Sequence, residues 1–96
     1  MSTAIKIYLY ATFKLIAGQK EYELPIREQT TVHEAILLFL ESAPVLKLHW
    51  LNQQGELHAH VLIFLNGTDI STLPLNLETE VHDGDTLEFI PPVAGG

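Results

Sequence analysis

Apolar and polar residues alternate along the chain first with a period of two, then at helical spacing, then again with a period of two; that order predicts strands, a helix and further strands. Over residues 4–13, Ile5, Ile7 and Leu9 alternate with Lys6, Tyr8 and Tyr10, the pattern of a strand with one buried face. Ala17, Gly18 and Gln19 then turn the chain, and Tyr22, Leu24 and Ile26 repeat the alternation as a hairpin partner. Pro25 has no N–H to give to a ladder, so this partner belongs near a sheet edge or a strand end. Thr31 followed three residues later by Glu34 is a capping box. Behind it Val32, Ala35, Ile36, Phe39, Leu40 and Ala43 fall on one helical face, and Pro44 closes the helix. The short apolar run 45–51 predicts a further helical turn or two, and residues 52–55, Asn-Gln-Gln-Gly, a loop.

From His58 the alternation resumes, with Val61, Ile63 and Leu65 on one face and His60, Leu62 and Phe64 on the other. Asn66-Gly67 ends this strand, because the pair tolerates the positive φ of a tight hairpin turn. Residues 69–77 are irregular or a short strand, and Asp83-Gly84-Asp85 turns the chain into a last strand, Thr86 to Ile90. A hairpin, one amphipathic helix crossing over and further strands make an α+β domain, a mixed sheet wrapped around one main helix in the order of a β-grasp. Residues 1–90 form the domain and 91–96 an extended tail. The expected core packs Ile36, Phe39 and Leu40 on Ile5, Ile7, Val61, Ile63, Leu87 and Phe89. Leu62, Phe64 and Ile90 then point away from the helix and make an apolar patch beside the tail, a surface for partner contact.

The tail reads Pro91-Pro92-Val93-Ala94-Gly95-Gly96. A terminal Gly-Gly pair arises by chance in roughly 1 chain in 200, so it calls for a reason. The prolines hold the backbone extended and steer it off the last strand. The glycines, without Cβ atoms, let the end enter a narrow channel in another protein and leave both faces of the terminal carbonyl open to attack. The Gly96 carboxylate is therefore the candidate reactive group, with Gly95 giving clearance. Pro91, Pro92, Val93 and Ala94 join Leu62, Phe64 and Ile90 as candidate partner contacts.

Composition narrows the chemistry. Ninety-six residues, 47% of them hydrophobic, suffice for a single core without metal or disulfide support. With no cysteine, the chain has no disulfide, no thiolate metal site and no thiol nucleophile, so any sulfur must come from outside. Twelve acidic against five basic residues give a net charge of -7, which argues against nucleic acid and anionic membranes as partners. No apolar stretch approaches the ~20 residues of a membrane span and the start lacks the pattern of a leader, so a cytoplasmic protein is expected. His58 and His60 would project from one strand face, but two imidazoles lack a third ligand, and no metal is expected. Ser42 and Ser71 have no evident triad partners. The acids Asp69, Glu78, Glu80, Asp83 and Asp85 read as a solvated face, with docking of a basic partner surface as the alternative. No Gly-rich phosphate loop occurs, so the chain is expected to bind no cofactor itself.

The segment Asn66-Gly67, the turn Asp83-Gly84-Asp85 and the end Phe89-Ile90-Pro91-Pro92-Val93-Ala94-Gly95-Gly96 together resemble the ubiquitin-like sulfur carriers of the MoaD/ThiS family, and in particular the end of the molybdopterin synthase small subunit. Gly18-Gln19-Lys20, Gly55-Glu56-Leu57-His58 and Val93-Ala94-Gly95-Gly96 are also similar to the mycobacterial-type carriers called CysO, which serve cysteine synthesis. The proline pair fits the first kind better and the longer middle the second. The resemblance implies a protein cosubstrate and not an enzyme. An E1-like activating enzyme would use ATP to adenylate Gly96, and a sulfide equivalent would displace AMP to leave a thiocarboxylate. An acceptor enzyme would take the sulfur: the molybdopterin synthase large subunit, or a pyridoxal-phosphate-dependent cysteine synthase. Two other readings stay open: a modifier joined through Gly96 to lysines of target proteins, and an interaction domain with an idle tail.

Overall fold

The computed structural model describes residues 3–58 and 60–92. Strand β1 (Thr3–Leu9) leads into helix α1 (Ala11–Ala17), then strand β2 (Glu21–Ile26) and helix α2 (Val32–Ser42). A 3-10 turn (Pro44–Leu46) runs into the short helix α3 (Lys47–Trp50). Strands β3 (Leu62–Leu65), β4 (Thr68–Asp69) and β5 (Thr86–Ile90) follow, with 3-10 turns at Ile70–Thr72 and Asn76–Glu78 between the last two. The five strands form one sheet in the order β2-β1-β5-β3-β4. The first and last strands lie side by side and parallel, and every other pairing is antiparallel. This is the mixed, helix-wrapping β-grasp sheet that the pattern predicts, with Pro25 on the edge strand β2.

Helix α2 starts where the sequence says it should. The Glu34 N–H donates to Thr31 Oγ1 at 3.1 Å, and the Thr31 N–H donates to Glu34 Oε1 at 3.0 Å, closing the capping box. Its apolar stripe of Val32, Ala35, Ile36, Phe39 and Leu40 is buried against Ile5, Ile7, Val61, Ile63, Leu87 and Phe89. The Asn66-Gly67 turn has φ values of 51° and 86°, the double positive φ expected of it.

Two stretches depart from the period-two reading. The first strand stops at Leu9, and residues 11–17 are helical. Phe13 is the cause: it turns inward and meets Trp50 edge-on, ring centroids 5.5 Å apart. Phe13, Ile16 and Ala17 therefore follow helical spacing, which the alternation of residues 4–10 had masked. Gly18 then caps this helix with φ 82°, its N–H donating to Lys14 O at 2.8 Å. The second departure is at His58. The strand begins only at Leu62, because the His58 N–H donates to Trp50 O and the Val61 N–H to His58 O, bonds of a local turn. Trp50 anchors both departures. It is fully buried, stacks on Phe89 at 4.3 Å and 22°, and its Nε1 has no hydrogen-bond partner.

Candidate functional site

The chain leaves the sheet at Ile90, and three elements fix that point. Phe89, immediately before it, is clamped from inside by Trp50 and stacks at 6.5 Å on Phe39 of α2. On one side Tyr10 donates its N–H to Phe89 O at 3.2 Å; on the other Leu62 stands directly opposite Ile90. Pro91 is half-buried and Pro92 exposed. The last strand thus ends rigidly, held on both flanks and beneath. The expected contacts Val93 and Ala94 and the reactive glycines Gly95 and Gly96 lie outside the described residues.

The outward apolar patch is present. Alternation along β3 and β5 buries Ile63, Leu87 and Phe89 and turns Leu62, Phe64, Glu88 and Ile90 to the other face. Leu62 is 40% exposed, an apolar residue open to a partner, whereas Phe64 and Ile90 are half-buried. Leu62 and Ile90 share one cross-strand pair, and Phe64 lies one pair away, opposite Glu88.

Two residues of this face were not singled out from the sequence. The Tyr10 hydroxyl donates to Glu88 Oε2 at 2.6 Å, and Lys20 Nζ lies 5.6 Å from the centre of the Tyr10 ring. The hydrogen bond to Glu88, then burial and the nearby negative charge, raise the Tyr10 phenol above its ordinary 10.0. Tyr10 therefore stays a donor at neutral pH. Glu88 could have been found by alternation, since it lies between the buried Leu87 and Phe89. Tyr10 could not, because its position depends on where the strand gives way to α1.

The remaining candidates are structural. His58 and His60 do not lie on a strand, although their rings stack with centroids 4.8 Å apart. Among the described residues no group of three or more His, Cys, Asp or Glu side chains could hold a metal. A hollow of about 360 Å³ beside β3 is lined by His58, Asp69 and Ser71 among others, the residue types of a hydrolytic triad. No hydrogen bond links one of these side chains to another: Asp69 Oδ1 accepts from the backbone N–H of Ser71 and serves a turn. Of the acids, Glu78, Glu80 and Asp83 are exposed and Asp69 and Asp85 half-buried, and the turn acids also bond their surroundings. Asp83 Oδ1 accepts from the Ala4 N–H, and Asp85 accepts from the Asn66 side chain and the His82 N–H, tying the entry of β5 to its neighbours at the end of the strand away from the tail. No helix among the described residues is long and apolar enough to cross a membrane.

Comparison with known proteins finds relatives along almost the whole chain. The profile of the ThiS family matches residues 7–96. The chain is 32% identical over 92 residues to small archaeal modifier protein 3 of Haloferax volcanii, covering 96% of this chain and 98% of that protein. It is 34% identical over 93 residues, 97% and 99% of the two chains, to an Archaeoglobus fulgidus protein that bears the name of a sulfur carrier. In three dimensions it is similar to SAMP1 from Haloferax volcanii, with a TM-score of 0.88 and 26% identity over 97% of this chain and 99% of the other. The names of these relatives are those of small modifier proteins and of a sulfur carrier.

Proposed function

The chain belongs to the ThiS family, and from that premise we propose that it is a sulfur carrier whose Gly96 carboxylate is adenylated and then converted to a thiocarboxylate. A carboxylate resists nucleophiles because of its charge. ATP held by a partner enzyme would turn it into an acyl-adenylate, releasing pyrophosphate. Attack by a sulfide equivalent on the carbonyl carbon would expel AMP, leaving sulfur in place of one carboxylate oxygen. The chain itself contributes presentation. The tail would leave from the fixed end of β5 at Ile90, its two prolines and two glycines would let the carboxylate enter a catalytic channel, and the neighbouring patch would give the partner a surface to hold.

The observation that carries this reading is the juxtaposition at the root of the tail: Leu62 opposite Ile90 on an outward apolar face, immediately before Pro91 and Pro92. The sulfur would pass to an acceptor enzyme of the molybdopterin synthase or cysteine synthase kind. A second reading has its own support. One relative is named a modifier, and the same adenylate could instead deliver Gly96 to a lysine of another protein. Incubation with ATP, the host's adenylating enzyme and a sulfide source tests the first reading. The intact chain should gain the mass of one oxygen-to-sulfur exchange and a chain lacking Gly96 should gain none. Covalent conjugates that survive reducing, denaturing gels would favour the second.

A further inference from the structure

The apolar patch does not account for the composition of the strand row beside it. Glu21 on β2 faces Tyr8 on β1, Tyr8 faces Glu88 on β5, Glu88 faces Phe64 on β3, and Phe64 faces Asp69 on β4. A single row thus runs across all five strands on the outward face, reading carboxylate, ring, carboxylate, ring, carboxylate. Neighbouring strands lie about 4.8 Å apart, so the carboxylates recur roughly every 9–10 Å. Both rings are half-buried, and Glu88 is half-buried between them.

Glu88 is the member that most needs a counterion. Its Oε2 accepts from Tyr10, and among the described residues no cation stands within ion-pair distance of it. A carboxylate set between two aromatic rings loses hydration, and the neutral phenol returns only part of it. In a chain with a net charge of -7, its neighbours add repulsion. Lys20 lies over the Tyr10 ring and not on the carboxylate, which leaves Glu88 open to a cation from a partner. Its chemistry follows from the alternation. A guanidinium is planar, forks onto a carboxylate and stacks flat on an aromatic face, so one group engages both, whereas an ammonium is a point charge without the fork and a small metal ion uses the carboxylates alone.

We propose that the row Glu21–Tyr8–Glu88–Phe64–Asp69 is a recognition strip for an arginine-bearing surface of the partner protein, each guanidinium paired with a carboxylate and stacked on Tyr8 or Phe64. This rests on the reading that the sheet face beside the tail docks the adenylating enzyme. The strip would align that enzyme along the row while Leu62 and Ile90 fill its apolar contact.

The test is ATP–pyrophosphate exchange by the host's adenylating enzyme, with carrier concentration and salt varied, for E88Q, the triple variant E21Q/D69N/E88Q and Tyr8→Leu. Thermal melting checks each fold. E88Q should raise the KM for the carrier about tenfold. The triple variant should raise it further and flatten its dependence on salt. Tyr8→Leu should raise KM while keeping the salt dependence. A folded triple variant with wild-type KM and wild-type salt dependence would overturn the strip, provided that loss of Gly96 still abolishes exchange. Exchange that persists without Gly96 would overturn the carrier reading and the strip with it. Spermine binding that requires the three carboxylates, with KM unchanged in the triple variant, would assign the row to a small cation and refute the proposal.

Discussion

Replacing Phe39 by alanine probes the packing that holds the last strand in place up to Ile90. Phe39 is 1% exposed on the inner face of α2, where its ring meets Tyr22 edge-on at 4.9 Å and lies 5.8 Å from Trp50 and 6.5 Å from Phe89. Truncating a buried phenylalanine costs about 3–5 kcal/mol in lost transfer energy and residual cavity. The upper half of that range applies, because three ring contacts are lost and the neighbouring Trp50 is itself fully buried and poorly able to relax. Total stability for a domain of this size is roughly 5–14 kcal/mol, so the loss is a large part of it. With an unfolding entropy of about 0.2 kcal/mol/K for a chain of this length, a loss of ~4 kcal/mol lowers Tm by roughly 20 °C. Urea unfolding followed by Trp50 fluorescence, alongside calorimetry, measures both quantities. A loss below ~1 kcal/mol would show that α2 does not pack on the sheet as described.

Thr31→Ala removes one half of the capping box and should cost about 1 kcal/mol, read in the same urea experiment; no change would mean that the box does not hold the start of α2. Ile90→Asp or Phe64→Asp should weaken binding to the activating enzyme while the fold persists, and calorimetric titration showing wild-type affinity in both would remove the outward face from recognition. The Tyr10 phenol, raised above 10.0 chiefly by its bond to Glu88, titrates higher folded than unfolded. Its contribution to stability is therefore complete below the ordinary tyrosine value and disappears as pH rises through the raised one. E88Q should move the Tyr10 midpoint back down in an NMR titration, and an unmoved midpoint would contradict the assignment.

Legibility in the sequence followed the range of the forces involved. The capping box, the Asn66-Gly67 turn and the alternation of β2 and β5 are set by neighbours within a few residues, and each was readable. So was the outward position of Leu62, Phe64 and Ile90, since period two fixes facing once the buried partners are known. What escaped was decided over long distances. Residues 11–17 coil because Phe13 finds Trp50, 37 positions away, and His58 stays out of the strand because its N–H is taken by the Trp50 carbonyl. The acid–aromatic row needs the register of all four strand pairs, including the parallel pairing of β1 with β5, which no local pattern encodes. The hydrogen bonds of the turn acids Asp83 and Asp85 were not readable because their partners, Ala4 and Asn66, are distant in sequence.

The central claim is that Gly96 is the working end of this protein. The most direct test is the intact mass of the chain purified from its own host under conditions that preserve thiocarboxylates, compared with the same chain treated with a thiol-directed alkylating reagent. A fraction should be heavier than the sequence mass by one oxygen-to-sulfur exchange, should take up a single alkyl group although the chain contains no cysteine, and should carry both changes on the C-terminal peptide. A chain that shows only its sequence mass and takes up no alkyl group, from cells with a demonstrably active adenylating enzyme, would contradict the account.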